Sequence, residues 1–223
     1  KRCKVDQSAV DMKLNPEKTI TDIGLDYGYS SSNYSSVFKK HHDASPVKFR
    51  QSIPTSDMPV PFTPERTAHF KTAQEYASRI EIQELSDFFV LYERFIGNYV
   101  ELEKHWYRFL DLYQAYLQEE TILVERFFND PAITNSSQCI CDICMTVGEE
   151  CGLDNLMRIQ GGRWAVYHFD GEIKDIFETL QGIFNVWLPR SGYRMAQRYG
   201  LNIYRHIDRE KHRVRMDLCI PIS

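Results

Sequence analysis

The chain has 223 residues, with 27 Lys and Arg against 31 Asp and Glu, a formal net charge of −4, and 43% hydrophobic and 13% aromatic residues. A mean hydropathy of −0.44 and the lack of any apolar run near the ~18 residues of a membrane span exclude an integral membrane helix, and nothing marks a secretory signal. The expectation is a soluble, cytoplasmic protein. The charge divides unevenly: residues 1–52 carry nine basic and six acidic side chains, a net +3, and the remainder a net −7. A polyanion partner therefore suits only the first piece. Six Cys without a secretory context read as reduced thiols, and the chain opens on Lys1 rather than Met, as a piece of a longer protein would.

In chain order, Asn15-Pro16-Glu17 supplies a cap and a first-turn proline ahead of Ile20, Ile23 and Leu25, with Gly28 where a helix would stop. Ser30 to Ser32 open a second helix carrying Tyr34, Val37 and Phe38, closed by His41-His42-Asp43 and Ser45-Pro46. Two short helices about a glycine turn form a helix-turn-helix candidate over residues 1–52. Pro54, Pro59, Pro61 and Pro64 then forbid a regular helix, so 53–78 reads as a linker. Alternation predicts strands at 79–85 and 88–95, helical spacing from Val100 to Leu117 predicts a helix over 98–117, and strands follow at 122–128 and 138–147.

The same order then recurs. Trp164 to Tyr167 lies 75 positions after Phe89 to Tyr92, and Met216 to Ile220 lies 75 after Cys141 to Met145, with an amphipathic helix between them at Ile176 to Trp187. Residues 79–223 thus read as a tandem duplication, with repeats at about 79–147 and 156–223, of a strand-helix-strand-strand unit. The predicted fold class is α+β: a small all-α helix-turn-helix segment followed by the duplicated domain, with a cleft at its pseudo-twofold. Such junctions are where small-molecule sites concentrate.

The stretch from Ile20 to Tyr34, with Val37-Phe38-Lys39-Lys40-His41 and Ser45-Pro46-Val47-Lys48-Phe49-Arg50, resembles the second helix-turn-helix of AraC/XylS-type transcription regulators, one residue shorter after Tyr34. Residues 79–223 are similar to GyrI-like effector-binding domains through Asn129-Asp130-Pro131, Gly161-Gly162-Arg163-Trp164, Trp187-Leu188-Pro189, Ile203-Tyr204 and Asp217 to Ile222. The resemblance implies a regulator that binds double-stranded DNA, as a homodimer for a firm grip, and responds to a small effector. Such domains commonly carry a Glu two positions before the tyrosine at Tyr204. Here that position is Asn202, and a neutral amide implies an apolar or aromatic effector rather than a cation.

For DNA, the short polar side chains Ser31, Ser32, Asn33, Ser35 and Ser36 suit groove edges, and Lys39, Lys40, Lys48 and Arg50 suit phosphates. Tyr34, Val37 and Phe38 read as core. For the effector, Tyr92, Trp164, Tyr167, Trp187 and Tyr204 are the aromatic candidates, with Glu93 and Asn202 as polar handles. Trp106 reads as helix core. The run Cys139-x-Cys141-x-x-Cys144 reads as small buried thiols, since in one strand Cys141 and Cys144 point to opposite faces. Neither a cofactor nor a metal is called for, and no Ser/His/Asp arrangement makes catalysis the default. Two alternatives remain: a stand-alone domain that sequesters a compound or inhibits a protein partner, and a small-molecule hydrolase.

Overall fold

The computed structural model describes residues 4–5, 8–9, 11–12, 15–52, 70–128, 139–196 and 198–223. The proline-rich part of the linker and the Asn129-Asp130-Pro131 motif lie outside them. The N-terminal unit is helical. In α1 (Ile20–Asp26) the Thr19 Oγ1 accepts from the Asp22 amide at 3.0 Å, a side-chain cap for an otherwise orphaned donor. The helix ends at Gly28, whose φ of 79° is open to glycine at little cost. Next come α2 (Ser31–His42) and α3 (Pro46–Ser52). Gly24 lets α1 and α2 touch, because a Cβ there would meet the Tyr34 ring at 3.0 Å. Tyr34, Phe38, Ile23, Met12 and Val5 share one buried cluster, and the Tyr34 hydroxyl donates to Ser8 Oγ at 2.9 Å. Leu25 departs from the apolar stripe expected of it and is 57% exposed.

After α4 (Ala73–Ala77) the chain builds β1 (Ile80–Leu85), β2 (Phe88–Ile96), α5 (Leu102–Leu112), β3 (Leu123–Phe127) and β4 (Ile140–Thr146). Then follow β5 (Leu156–Ile159), β6 (Gly162–Glu172), α6 (Ile176–Gly182), β7 (Gly200–Asp208) and β8 (Arg213–Pro221). The α6 segment continues as a π-helical turn at Ile183–Trp187 and a 3₁₀ turn at Leu188–Arg190. One antiparallel sheet holds all eight strands in the order β1-β6-β8-β7-β3-β4-β2-β5. Each half thus has five elements, one strand more than the four-element unit expected. The leading strands are exchanged: β1 pairs with β6 and β5 with β2. The order is symmetric about the β3–β7 pair, where Glu125 and Asn202 are register partners.

Alternation along the strands sorts side chains to two faces. On one face α5 covers Leu91, Phe95, Ile143 and Met145, and α6 covers Tyr167, Phe169, Met216 and Leu218. On the other, Val90, Val124, Trp164, Val166 and Ile203 form a separate cluster. Cys141 and Cys144 fall on opposite faces, in the first and second of these layers respectively. No helix among the described residues is long and apolar enough to cross a membrane.

Candidate functional site

The central seam of the sheet places a charge where apolar residues would be expected. In β3, Leu123, Glu125 and Phe127 point towards the helices, and Glu125 is only 5% exposed. Burying a carboxylate is costly unless donors replace water, and three neutral donors do so here. Trp106 Nε1 of α5 donates to Oε1 at 2.8 Å. The Tyr204 hydroxyl donates to the same oxygen at 2.7 Å, and Asn202 Nδ2 to Oε2 at 3.2 Å. The Trp106 and Tyr204 rings meet edge to face with centroids 5.7 Å apart.

Electrostatically the carboxylate is under-compensated. Desolvation pushes the Glu125 carboxyl above the usual range and outweighs the three hydrogen bonds that oppose it. The Tyr204 phenol is pushed well up as well, first by burial and then by the neighbouring carboxylate. Among the described residues, no Lys, Arg or His forms an ion pair with Glu125. A cation or a strong hydrogen-bond donor that replaced one of the three neutral donors would therefore gain a buried partner, and the aromatic walls would present π-faces to it.

The seven effector residues chosen from sequence do not form one site. Asn202 and Tyr204 converge on Glu125. Glu93 lies on the same face in β2, two strands from β3, where it accepts from the Tyr113 hydroxyl at 3.5 Å. Tyr167 is buried beneath α6, while Trp187 closes the π-helical turn and lines an open cleft beside β1. Tyr92 and Trp164 sit on the opposite face, because they fall at the other parity of their strands, and Trp164 is fully buried there. The two residues missed were Trp106, assigned to core, and Glu125. The available signal for Glu125 was an acidic residue between Leu123 and Phe127 on the apolar parity of a strand.

On the far face a second charged group ties strands together. Asp142 of β4, fully buried, accepts from Arg94 Nε at 2.8 Å and from Arg126 Nε at 3.0 Å. Asp217 of β8 holds Arg205 at 2.7 Å and His168 at 2.8 Å. In the helical unit, Ser31, Ser32, Asn33, Ser35, Ser36, Lys39 and Lys40 line the exposed side of α2, and Lys48 is exposed on α3. Arg50 differs from the expectation, since its Nε and Nη2 are buried and turned away from solvent.

Residues 78–223 match the family model of the GyrI-like small molecule binding domain. The chain belongs to this family. Over 103 residues the GyrI-like chain is 33% identical to the Probable transcriptional regulator YgiV of Escherichia coli strain K12, covering 43% of this chain and 64% of that protein. Over 75 residues it is 39% identical to the protein of the same name from Escherichia coli O157:H7, covering 31% and 46%. The chain thus spans less than two thirds of the length of the curated relatives it matches. Among solved structures, the EcmrR C-terminal domain shares the fold at a TM-score of 0.55 and 10% identity, over 65% of this chain and 96% of that one. The EcmrR–DNA complex aligns at a TM-score of 0.52 and 11% identity, over 85% and 76%.

Proposed function

We propose that this chain is a transcription regulator of the AraC/XylS type whose GyrI-like domain controls its helix-turn-helix through a small effector bound at the β3–β7 seam. The observation that carries the reading is Glu125, a buried carboxylate held by the neutral donors Trp106, Tyr204 and Asn202. It changes the effector class expected from Asn202 alone. The negative charge stands on the register partner of Asn202, so the favoured effector is an aromatic cation rather than a neutral aromatic.

Entry of such a ligand would lift Trp106 from Glu125 and with it α5, giving the two states that effector control requires. We take the seam, which stands at the centre of the symmetric strand order, to be the pseudo-twofold of the duplicated unit and the place of the expected cleft. We take the domain to bind rather than to transform its ligand, because in the unliganded state both Glu125 oxygens are already engaged by neutral donors. DNA contact falls to the exposed row on α2 with Lys39, Lys40 and Lys48, and so few cations favour a dimer for tight binding.

The test uses the full chain and a fluorescent aromatic cation such as berberine. Saturable binding is expected, weakened about tenfold or more in Glu125→Gln, together with a ligand-dependent change in retardation of the DNA upstream of its own gene. Equal affinity in Glu125→Gln would remove the effector site from the seam. No retardation at low salt would favour the sequestering role over the regulator.

A further inference from the structure

Away from the seam, the sheet has two outer strands among the described residues, β1 at one end and β5 at the other. β5 has four residues, whereas β1 has six that pair with β6 in unbroken register. The His168 amide donates to Arg79 O at 3.1 Å. Hydrogen-bonding direction alternates along a strand, so Glu81, Gln83 and Leu85 also turn their backbone groups to β6. The amides and carbonyls of Ile80, Ile82 and Glu84 therefore face outward. This edge is guarded by charge alone, at Glu81 and Glu84, with no Pro, Lys or bulge in the strand. Ile82 stands on it 37% exposed. On the helix-covered face Ile80 and Ile82 line an open cleft with Trp187 and Tyr193, so the apolar side of the strand is left partly uncovered.

We infer that β1 pairs antiparallel with β1 of a second copy of this chain, joining two sheets into one across a twofold axis at Ile82. Outward-facing residues must meet outward-facing residues, which leaves few registers. With Ile80 opposite Ile82, Glu81 would stand directly against its own copy, where like charges repel. With Gln83 opposite Gln83, each Ile82 would meet Glu84 and the apolar contact would be lost. With Ile82 opposite Ile82, Ile80 meets Glu84 and Glu81 meets Gln83. No acid then stands directly opposite an acid, and the two exposed Ile82 side chains cover each other. The Gln83 amide, which donates to Glu81 of its own strand at 2.9 Å, keeps a second proton for the Glu81 across the axis. The contact is isologous, as a twofold pair requires. It supplies the dimer that the regulator reading calls for, while the pairing itself stands without that reading.

Sedimentation equilibrium of the full chain tests the pairing. One strand pair is a small interface, so a reversible monomer–dimer equilibrium with a Kd of about 1–100 µM is expected. Ile82→Lys sets two ammonium groups against each other on the axis and should weaken it about tenfold or more. Ile207→Lys, at another apolar side chain 37% exposed, should leave it unchanged. For the register, Ile82→Cys should join two chains through a disulfide under diamide, since directly paired Cα atoms lie ~5.5 Å apart. Glu84→Cys should not, because its two copies would stand ~13 Å apart, and the unsubstituted chain serves as the blank. A monomer at ~500 µM, or a dimer as strong in Ile82→Lys with its circular dichroism unchanged, would overturn the pairing. Linkage at Glu84→Cys as efficient as at Ile82→Cys would overturn the register. Berberine binding is measured alongside, and its absence from the unsubstituted chain would count against the seam alone.

Discussion

At the scale of single residues, Gly182 shows how one missing methyl sets the position of an element. A Cβ at 182 would lie 1.8 Å from the Tyr76 hydroxyl and 2.4 Å from Cζ, and Tyr76 is only 2% exposed, so its ring has little room to retreat. Gly182→Ala should cost about 1–3 kcal/mol by overpacking, read as a lower urea midpoint with an unchanged slope. Tyr76→Phe in that background should return part of the loss, since the hydroxyl goes but Cζ remains. No rescue at all would mean that the cost arises elsewhere in α6. Glu125 shows what a residue-by-residue reading misses. Its sequence neighbours advertise an ordinary strand, and its character comes from Asn202 and Tyr204, 77 and 79 positions away. Tyr204 and Asn202 were legible because motif and position marked them, whereas Trp106 obeyed helical spacing so well that its indole nitrogen drew no notice.

At the scale of elements, alternation located strands such as β1, where Ile80 and Ile82 alternate with Glu81 and Gln83, because successive side chains of a strand point to opposite faces of the sheet. β1, β2, β3 and β4 fall within a residue or two of the expected spans. Parity cannot say which face meets the helices, and that is why Tyr92 and Trp164 were grouped with residues from the far side. Nor could it reveal that β1 and β5 cross to the opposite half, a pairing decided for β1 with β6 by contacts between residues about 77 to 87 positions apart. The far-face ion groups follow the same logic and give a comparative test. Asp142 neutralises Arg126, whose side chain is only 9% exposed, whereas the partners of Asp217 are about half exposed. Asp142→Asn leaves a buried guanidinium uncompensated and should cost about 3–5 kcal/mol. Asp217→Asn, at the corresponding place in the other half, leaves groups that water can reach and should cost clearly less. Equal losses in chemical denaturation would show that solvent does not distinguish the two groups.

At the scale of the whole molecule, the helical unit and the sheet do not share a buried cluster among the described residues: Val5 to Phe38 form one, and the sheet layers form others. Their stabilities should respond to acid with opposite signs. His42, packed against Phe38 and Phe49 in the helical unit, is pushed down to about 4, first by burial and then by His41. Its folded pKa lies below the unfolded value of ~6.5, so the stabilisation is complete above that value and is lost as pH falls towards 4. In the sheet, His168 is raised, first by its bond to Asp217 and also by Glu81, and Glu125 is raised by burial. Those shifts stabilise the sheet as pH falls, until the ordinary carboxylate range is reached. All three tryptophans, Trp106, Trp164 and Trp187, belong to the sheet part of the chain, so indole fluorescence follows that part alone while far-ultraviolet circular dichroism follows both. Thermal melts at pH 7 and pH 5 should give two transitions that separate further at pH 5, the helix-weighted one falling and the fluorescence one holding or rising. Coincident transitions that move together would mean that the Glu17–Arg194 contact and its surroundings bind the two parts into one cooperative unit.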